Sequence, residues 1–186
     1  AGTLPKYFDL LCIRTDIERS GAFESAVSHL ETVNAPKDDD LRKYPDKILT
    51  EHFDNSESLY GFYTAYYYFY LKGRIALRRK EYKKVLQAVD LSRRALLEIS
   101  HDGVPDLIRS GFLDVMEGHA FTEIGLSPGG TEAHRETGIR LSLRARSQFR
   151  AAGFSPGEYQ AARYHAEAKR LSPDKVPLTQ LREMYK

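Results

Sequence analysis

The sequence has few means of stapling or anchoring itself. It holds one cysteine, Cys12, in 186 residues, and no tryptophan. A single thiol excludes an intramolecular disulfide framework and a cysteine-rich zinc site. Cys12 lies inside the apolar run YFDLLCI and reads as an ordinary buried residue. No run of about 18 apolar residues occurs, so no membrane-spanning helix is expected. No secretory leader is visible, and the expected location is the cytoplasm. The formal net charge of +2 excludes a molecule that is basic as a whole, so any nucleic-acid surface must be local. Nucleotide-loop, dinucleotide and nucleophile-elbow motifs are missing. His29, His52, His119, His134 and His165 show no close metal-ligand spacing. The Asp38-Asp39-Asp40 block lacks the ligand spacing and turn glycine of a calcium loop. No metal, no cofactor and no enzymatic activity are expected.

What is present is helical periodicity. Val, Ile and Thr are sparse, and apolar residues recur at i, i+3, i+4 and i+7. The spacing predicts an all-α protein of about eight helices in a single domain spanning residues 1–186. The helices run from about Pro5 to Ser20, Ala22 to Val33, Asn55 to Arg79, Glu81 to Ser100, Pro105 to Ile124, Thr131 to Ala152, Ser155 to Leu171 and Leu178 to Tyr185. Residues 34–54, opening with NAPKDDDLRKYPDK, read as a charged linker or insertion between hairpins. Thr131 is expected to cap its helix. Ser155, Pro156 and Glu158 predict a cap, a first helical proline and a capping box.

Three stretches share a hairpin pattern. In the first, Leu10, Ile13 and Ile17 precede Gly21, Phe23, Ala26 and Leu30. In the second, Phe69, Gly73 and Leu77 precede Tyr82, Val85 and Val89. In the third, Ala145 and Phe149 precede Gly153, with Tyr159, Ala162 and Ala166 after a short insertion. Gly118, Phe121 and Gly125 form a half-match. A small residue lets two helices approach, and an aromatic after the turn packs back between them. Such a hairpin cannot bury its apolar face alone, so several must stack.

The pattern resembles the tetratricopeptide repeat family. The resemblance implies antiparallel helix hairpins stacked as a right-handed superhelix. It also implies a non-enzymatic adaptor, in which the first helix of each hairpin lines a concave groove that holds a partner segment. Setting Gly73 at the family's small position carries Tyr67, Tyr70, Arg74 and Arg78 onto the groove, with Tyr66 and Phe69 facing the partner helix. Setting Gly118 there carries Phe112, Val115, His119 and Thr122. The first hairpin would contribute Phe8, Leu11, Thr15 and Arg19. Aromatics edged by arginines suit a protein or peptide segment, including an acidic one. Family members that grip chaperone C-termini use paired asparagines with lysines. Asn34 and Asn55 lie outside the groove positions, so that ligand is not expected.

The stretch from Tyr63 to Tyr82, YTAYYYFYLKGRIALRRKEY, concentrates these residues. Its tyrosines cover most of a helical circumference, so the helix is either partly exposed or covered on several sides. Arg140 and Arg144 share a face of a later helix and are further candidates for partner binding. Together with Arg135, Arg146 and Arg150 they also allow an alternative, an RNA-directed protein. Arg94 and His101 have the Arg-x6-His spacing that resembles helical HEPN ribonucleases, although Ala95 stands where those carry a polar residue. The bland reading is that His101 meets the carbonyls of its own helix end.

Overall fold

A computed structural model describes residues 23–32, 59–100 and 106–169. Among these residues there are six α-helices and no strand. They are α1 (Phe23–Thr32), α2 (Leu59–Arg78), α3 (Tyr82–Ile99), α4 (Leu107–Leu126), α5 (Glu132–Ala151) and α6 (Ser155–Ala168). None is long and apolar enough to cross a membrane. The expected helices at Pro5–Ser20 and Leu178–Tyr185 lie outside the described residues. So do the 34–54 linker, Cys12, His101 and the groove candidates Phe8, Leu11, Thr15 and Arg19. The described residues fall into two compact units. One holds α1, α2 and α3 from Gln87 onward; the other holds Lys80–Leu86 and α4 to α6.

In the first unit, every residue from Thr64 to Leu71 is buried. A helix that is apolar all round must be covered all round, so α2 is enclosed. Its tyrosines pack along the helix. Tyr66 stacks on Tyr70 at 5.9 Å between ring centroids and meets Tyr67 edge-on at 5.1 Å. The basic run that follows begins by packing on these rings. Lys72 Nζ lies 5.9 Å from the Tyr68 centroid, and Arg74 donates to the Tyr70 hydroxyl at 2.9 Å. Beyond α2 the chain turns at Lys80, whose φ of 60° is the left-handed conformation that glycine usually supplies.

The second unit is a three-helix layer whose register can be read from side-chain pairs. Gly125 approaches Arg135, Gly118 approaches Gly138, Asp114 binds Arg144, and Ser110 binds Gln148. One number rises as the other falls, so α4 and α5 run antiparallel. The crossing is made of small residues. A Cβ on Gly138 would lie 2.8 Å from the Gly118 carbonyl oxygen. The buried hydroxyls nearby bond within their own helices. Thr122 donates to the Gly118 carbonyl and Ser142 to the Gly138 carbonyl, each at 2.9 Å.

Gly153, at φ 67°, ends α5. Phe154 N donates to Phe149 O at 2.8 Å and Gly153 N donates to Arg150 O at 3.0 Å, the paired bonds of a Schellman motif. This closure corrects the expected start of α6. The N-cap is Phe154 rather than Ser155, because the Schellman bond already fixes Phe154 at the junction. Glu158 does not complete a capping box. It is buried and accepts from Arg146 and Arg150 of α5 instead. The expected cap at Thr131 is present, and His134 Nδ1 accepts from the Thr131 backbone N–H at 3.3 Å.

The α4–α6 relation completes the layer. Phe112 meets Phe154, and His119 meets Tyr164. Both numbers now rise together, so α4 and α6 are parallel neighbours, with α5 packed against each. Phe149, Val115, Ala145 and Ala161 form the shared core.

Candidate functional site

The seam between α4 and α6 gathers a cluster of polar and aromatic side chains. Apolar packing on Phe112, Phe149 and Phe154 closes one end of it. One helical turn separates His119 from Glu123 on α4, and one turn separates Arg163 from Glu167 on α6. The parallel register brings these two i,i+4 pairs together.

The His119 ring lies against Tyr164, with centroids 4.5 Å apart and planes 39° apart. Its Nε2 is 3.8 Å from Glu123 Oε1, while its Nδ1 is buried with no hydrogen-bond partner among the described residues. The other carboxylate oxygen of Glu123 accepts from the Tyr82 hydroxyl at 3.2 Å. Arg163 Nε donates to Glu167 Oε1 at 3.1 Å. Burial pushes the His119 imidazole below its ordinary range. Glu123 and Glu167 oppose that shift, and Arg163 adds to it. Burial is also the main reason the Tyr82 hydroxyl is raised, and Glu123 reinforces it. The arrangement sets the His119–Tyr164 ring pair beside two carboxylates, a guanidinium and a phenolic hydroxyl.

The expected site residues are distributed as follows. Phe112 and His119 lie on the seam. Val115 belongs to the core beneath it, and Thr122 is buried on the α5 side beside Gly138. Tyr67 and Tyr70 are 8% and 4% exposed, so both tyrosine stripes of α2 are buried. Arg74 is held on Tyr70, and Arg78 is exposed at the end of α2. These four belong to the first unit. Arg140 is exposed on the side of α5 opposite its buried stripe of Gly138, Leu141, Ser142, Ala145 and Phe149.

Arg144 reaches from the edge of α5 to Asp114. It donates from Nε to Oδ2 at 2.5 Å and from Nη2 to Oδ1 at 2.6 Å. Asp114 is 0% exposed, and Arg144 supplies the fork that satisfies both its oxygens. This pairing raises the Arg144 guanidinium further. Replacing Arg144 with alanine should destabilise the unit by about 2 kcal/mol, since charge-assisted hydrogen bonds contribute about 1.5–3 kcal/mol. Lysine should restore only part of this, because it lacks the fork. Chemical denaturation of the three proteins measures both effects, and equal stability would show that the pair contributes nothing.

Glu123, Tyr164, Arg163, Glu167 and Tyr82 were not singled out from the sequence as a site. The two i,i+4 spacings were legible, but each reads alone as an ordinary solvated pair. Only the α4–α6 register joins them. Among the described residues, no group of three His, Cys, Asp or Glu side chains could hold a metal. No family model matches the chain, and no curated protein or solved structure matches it.

Proposed function

We propose that the chain is a helical-repeat interaction module that holds a segment of a partner protein along the α4–α6 seam. The observation that supports this most is the order of the second unit. α4 and α6 are parallel neighbours, and α5 runs antiparallel against both. Two successive first helices and the second helix between them take this order in tetratricopeptide-like repeats, and there the first helices line the groove. α4 and α5 are then one hairpin and α6 starts the next, in place of the α5–α6 hairpin of the third sequence match. In this reading further hairpins extend the stack as a right-handed superhelix. His119 and Tyr164 form the floor, and Glu123, Arg163, Glu167 and Tyr82 bind the segment's polar groups.

The arginines favour a protein partner over RNA. Arg144 is matched by Asp114, and Arg146 and Arg150 share Glu158. Arg135 pairs with Glu132, and Arg94 with Asp90. Arginines already paired in this way release fewer counterions from a phosphate backbone than free ones would.

The test is a quantitative pull-down from nuclease-treated lysate. It compares the wild type with a variant carrying both Glu123→Ala and Arg163→Ala. The expected result is a protein captured by the wild type and reduced at least about tenfold in a variant of unchanged helicity, the loss of about 1.4 kcal/mol of binding. Equal capture by both proteins would remove the seam as the site. Capture that disappears on nuclease treatment would favour RNA.

A further inference from the structure

We propose that His119 is a proton-operated latch: its neutral ring holds α6 against α4, and protonation expels the ring and loosens α6. This inference concerns the chain by itself and needs no partner.

The geometry sets up two unequal states. A neutral imidazole has one N–H and one bare nitrogen, so it tolerates a site with a single polar neighbour. His119 has such a site. Nε2 faces Glu123 at 3.8 Å, the ring rests on Tyr164, and Nδ1 is buried without a partner among the described residues. In the imidazolium both nitrogens are donors. Nδ1–H would then be a charged donor in a buried position with no acceptor among the described residues. Water supplies an acceptor only if the ring leaves Tyr164, and that contact is part of the seam.

The surrounding charges do not remove the asymmetry. From α4, Glu123 favours the charged form, but it is also engaged by the Tyr82 hydroxyl at the start of α3. From α6, Glu167 favours the charged form and Arg163 opposes it, and these two are bonded to each other. Tyr164 offers a ring face. Burial outweighs the carboxylates, so the folded imidazole titrates below its ordinary value. The sign follows. As pH falls through about 6.5, the loosened state takes up a proton and the packed state does not. The packed state is therefore favoured above that pH and loses ground below it. The loss continues until the depressed value of the folded ring is reached.

One other group on α6 could mimic the effect. His165 is also lowered, chiefly by burial, with Lys169 and Arg146 adding to it. The experiment therefore uses two variants, His119→Gln and His165→Gln, beside the wild type. Hydrogen exchange of the α6 amides is followed between pH 7.5 and pH 5, corrected for intrinsic exchange. The His119 ring is titrated by NMR in the same samples. The expected result is a His119 midpoint below 6.5. Protection of α6 should fall up to about tenfold per pH unit below 6.5, one proton's worth. That pH-dependent fall should be abolished in His119→Gln and retained in His165→Gln. A His119 midpoint at or above 6.5 would overturn the proposal. So would α6 protection that does not change with pH, or a fall that disappears only in His165→Gln. Should His119→Gln not fold, the wild-type titration and the His165→Gln exchange decide the question alone.

Discussion

Phe149→Ala is expected to destabilise the α4–α6 unit by about 4 kcal/mol, within the range for removing a fully buried phenylalanine. Phe149 is 0% exposed and touches all three helices of the layer. Its ring is edge-on to Phe112 at 5.2 Å and tilted against Phe154 at 5.7 Å. Two glycines make its room. A Cβ on Gly111 would lie 2.7 Å from the ring, and one on Gly157 would lie 2.5 Å from it. Alanine at 149 would leave a void between rigid helix backbones, and the three helices cannot all close on it. Guanidinium denaturation monitored by circular dichroism measures the effect. A loss below about 1 kcal/mol would mean that the layer collapses freely around the missing ring, which the close helix packing argues against.

Gly138→Ala is expected to cost about 3 kcal/mol, the upper part of the range for overpacking. The added methyl would meet Thr122 Oγ1 at 2.3 Å, the Gly118 carbonyl oxygen at 2.8 Å and the Thr122 backbone N at 3.1 Å. Rotation of Thr122 could relieve the first of these contacts. The other two are backbone atoms of α4, so the helices must separate. Separation also weakens the Asp114–Arg144 pair and opens the α4–α5 interface along its length. The same substitution on an exposed helix would be stabilising, because alanine is the better helix former by about 1 kcal/mol. The sign of the change therefore reports the crossing directly. Gly138→Ala should lower the denaturation midpoint, and a raised midpoint would contradict the close approach at Gly118.

The helices were legible because their periodicity is strong, and the ends of α4 and α5 fall within two residues of the expected positions. The turn that ends α5 was legible from Ala145, Phe149 and Gly153, since a glycine after an apolar stripe is a ready helix stop. The turn after α2 was placed to within a residue, but its left-handed conformation at Lys80 was not legible, because nothing in a lysine signals that. The start of α6 was misread because Ser155, Pro156 and Glu158 have a good local reading as a cap. Tertiary pairing of Glu158 with Arg146 and Arg150 prevailed over it.

The tyrosine cluster showed that α2 is either covered on several sides or partly exposed, and periodicity could not choose between them. The structure buries Thr64 to Leu71 throughout. The seam itself was half visible. His119 was a candidate by position, but Tyr164 lies 45 residues later, on a neighbour defined only by packing. Asp114 is similar. An aspartate in an apolar stretch gives no sign that an arginine 30 residues away will bind it.

The most direct test of the account is site-specific photo-crosslinking at two positions on the second unit. A photoreactive residue replaces Gln160, one turn before Tyr164 on the seam side of α6. In a second protein it replaces Arg140, on the outward face of α5. The account predicts a crosslinked polypeptide from position 160 and none from position 140, with the adduct sensitive to protease and resistant to nuclease. A crosslink from position 140 alone, or an adduct removed by nuclease, would contradict it.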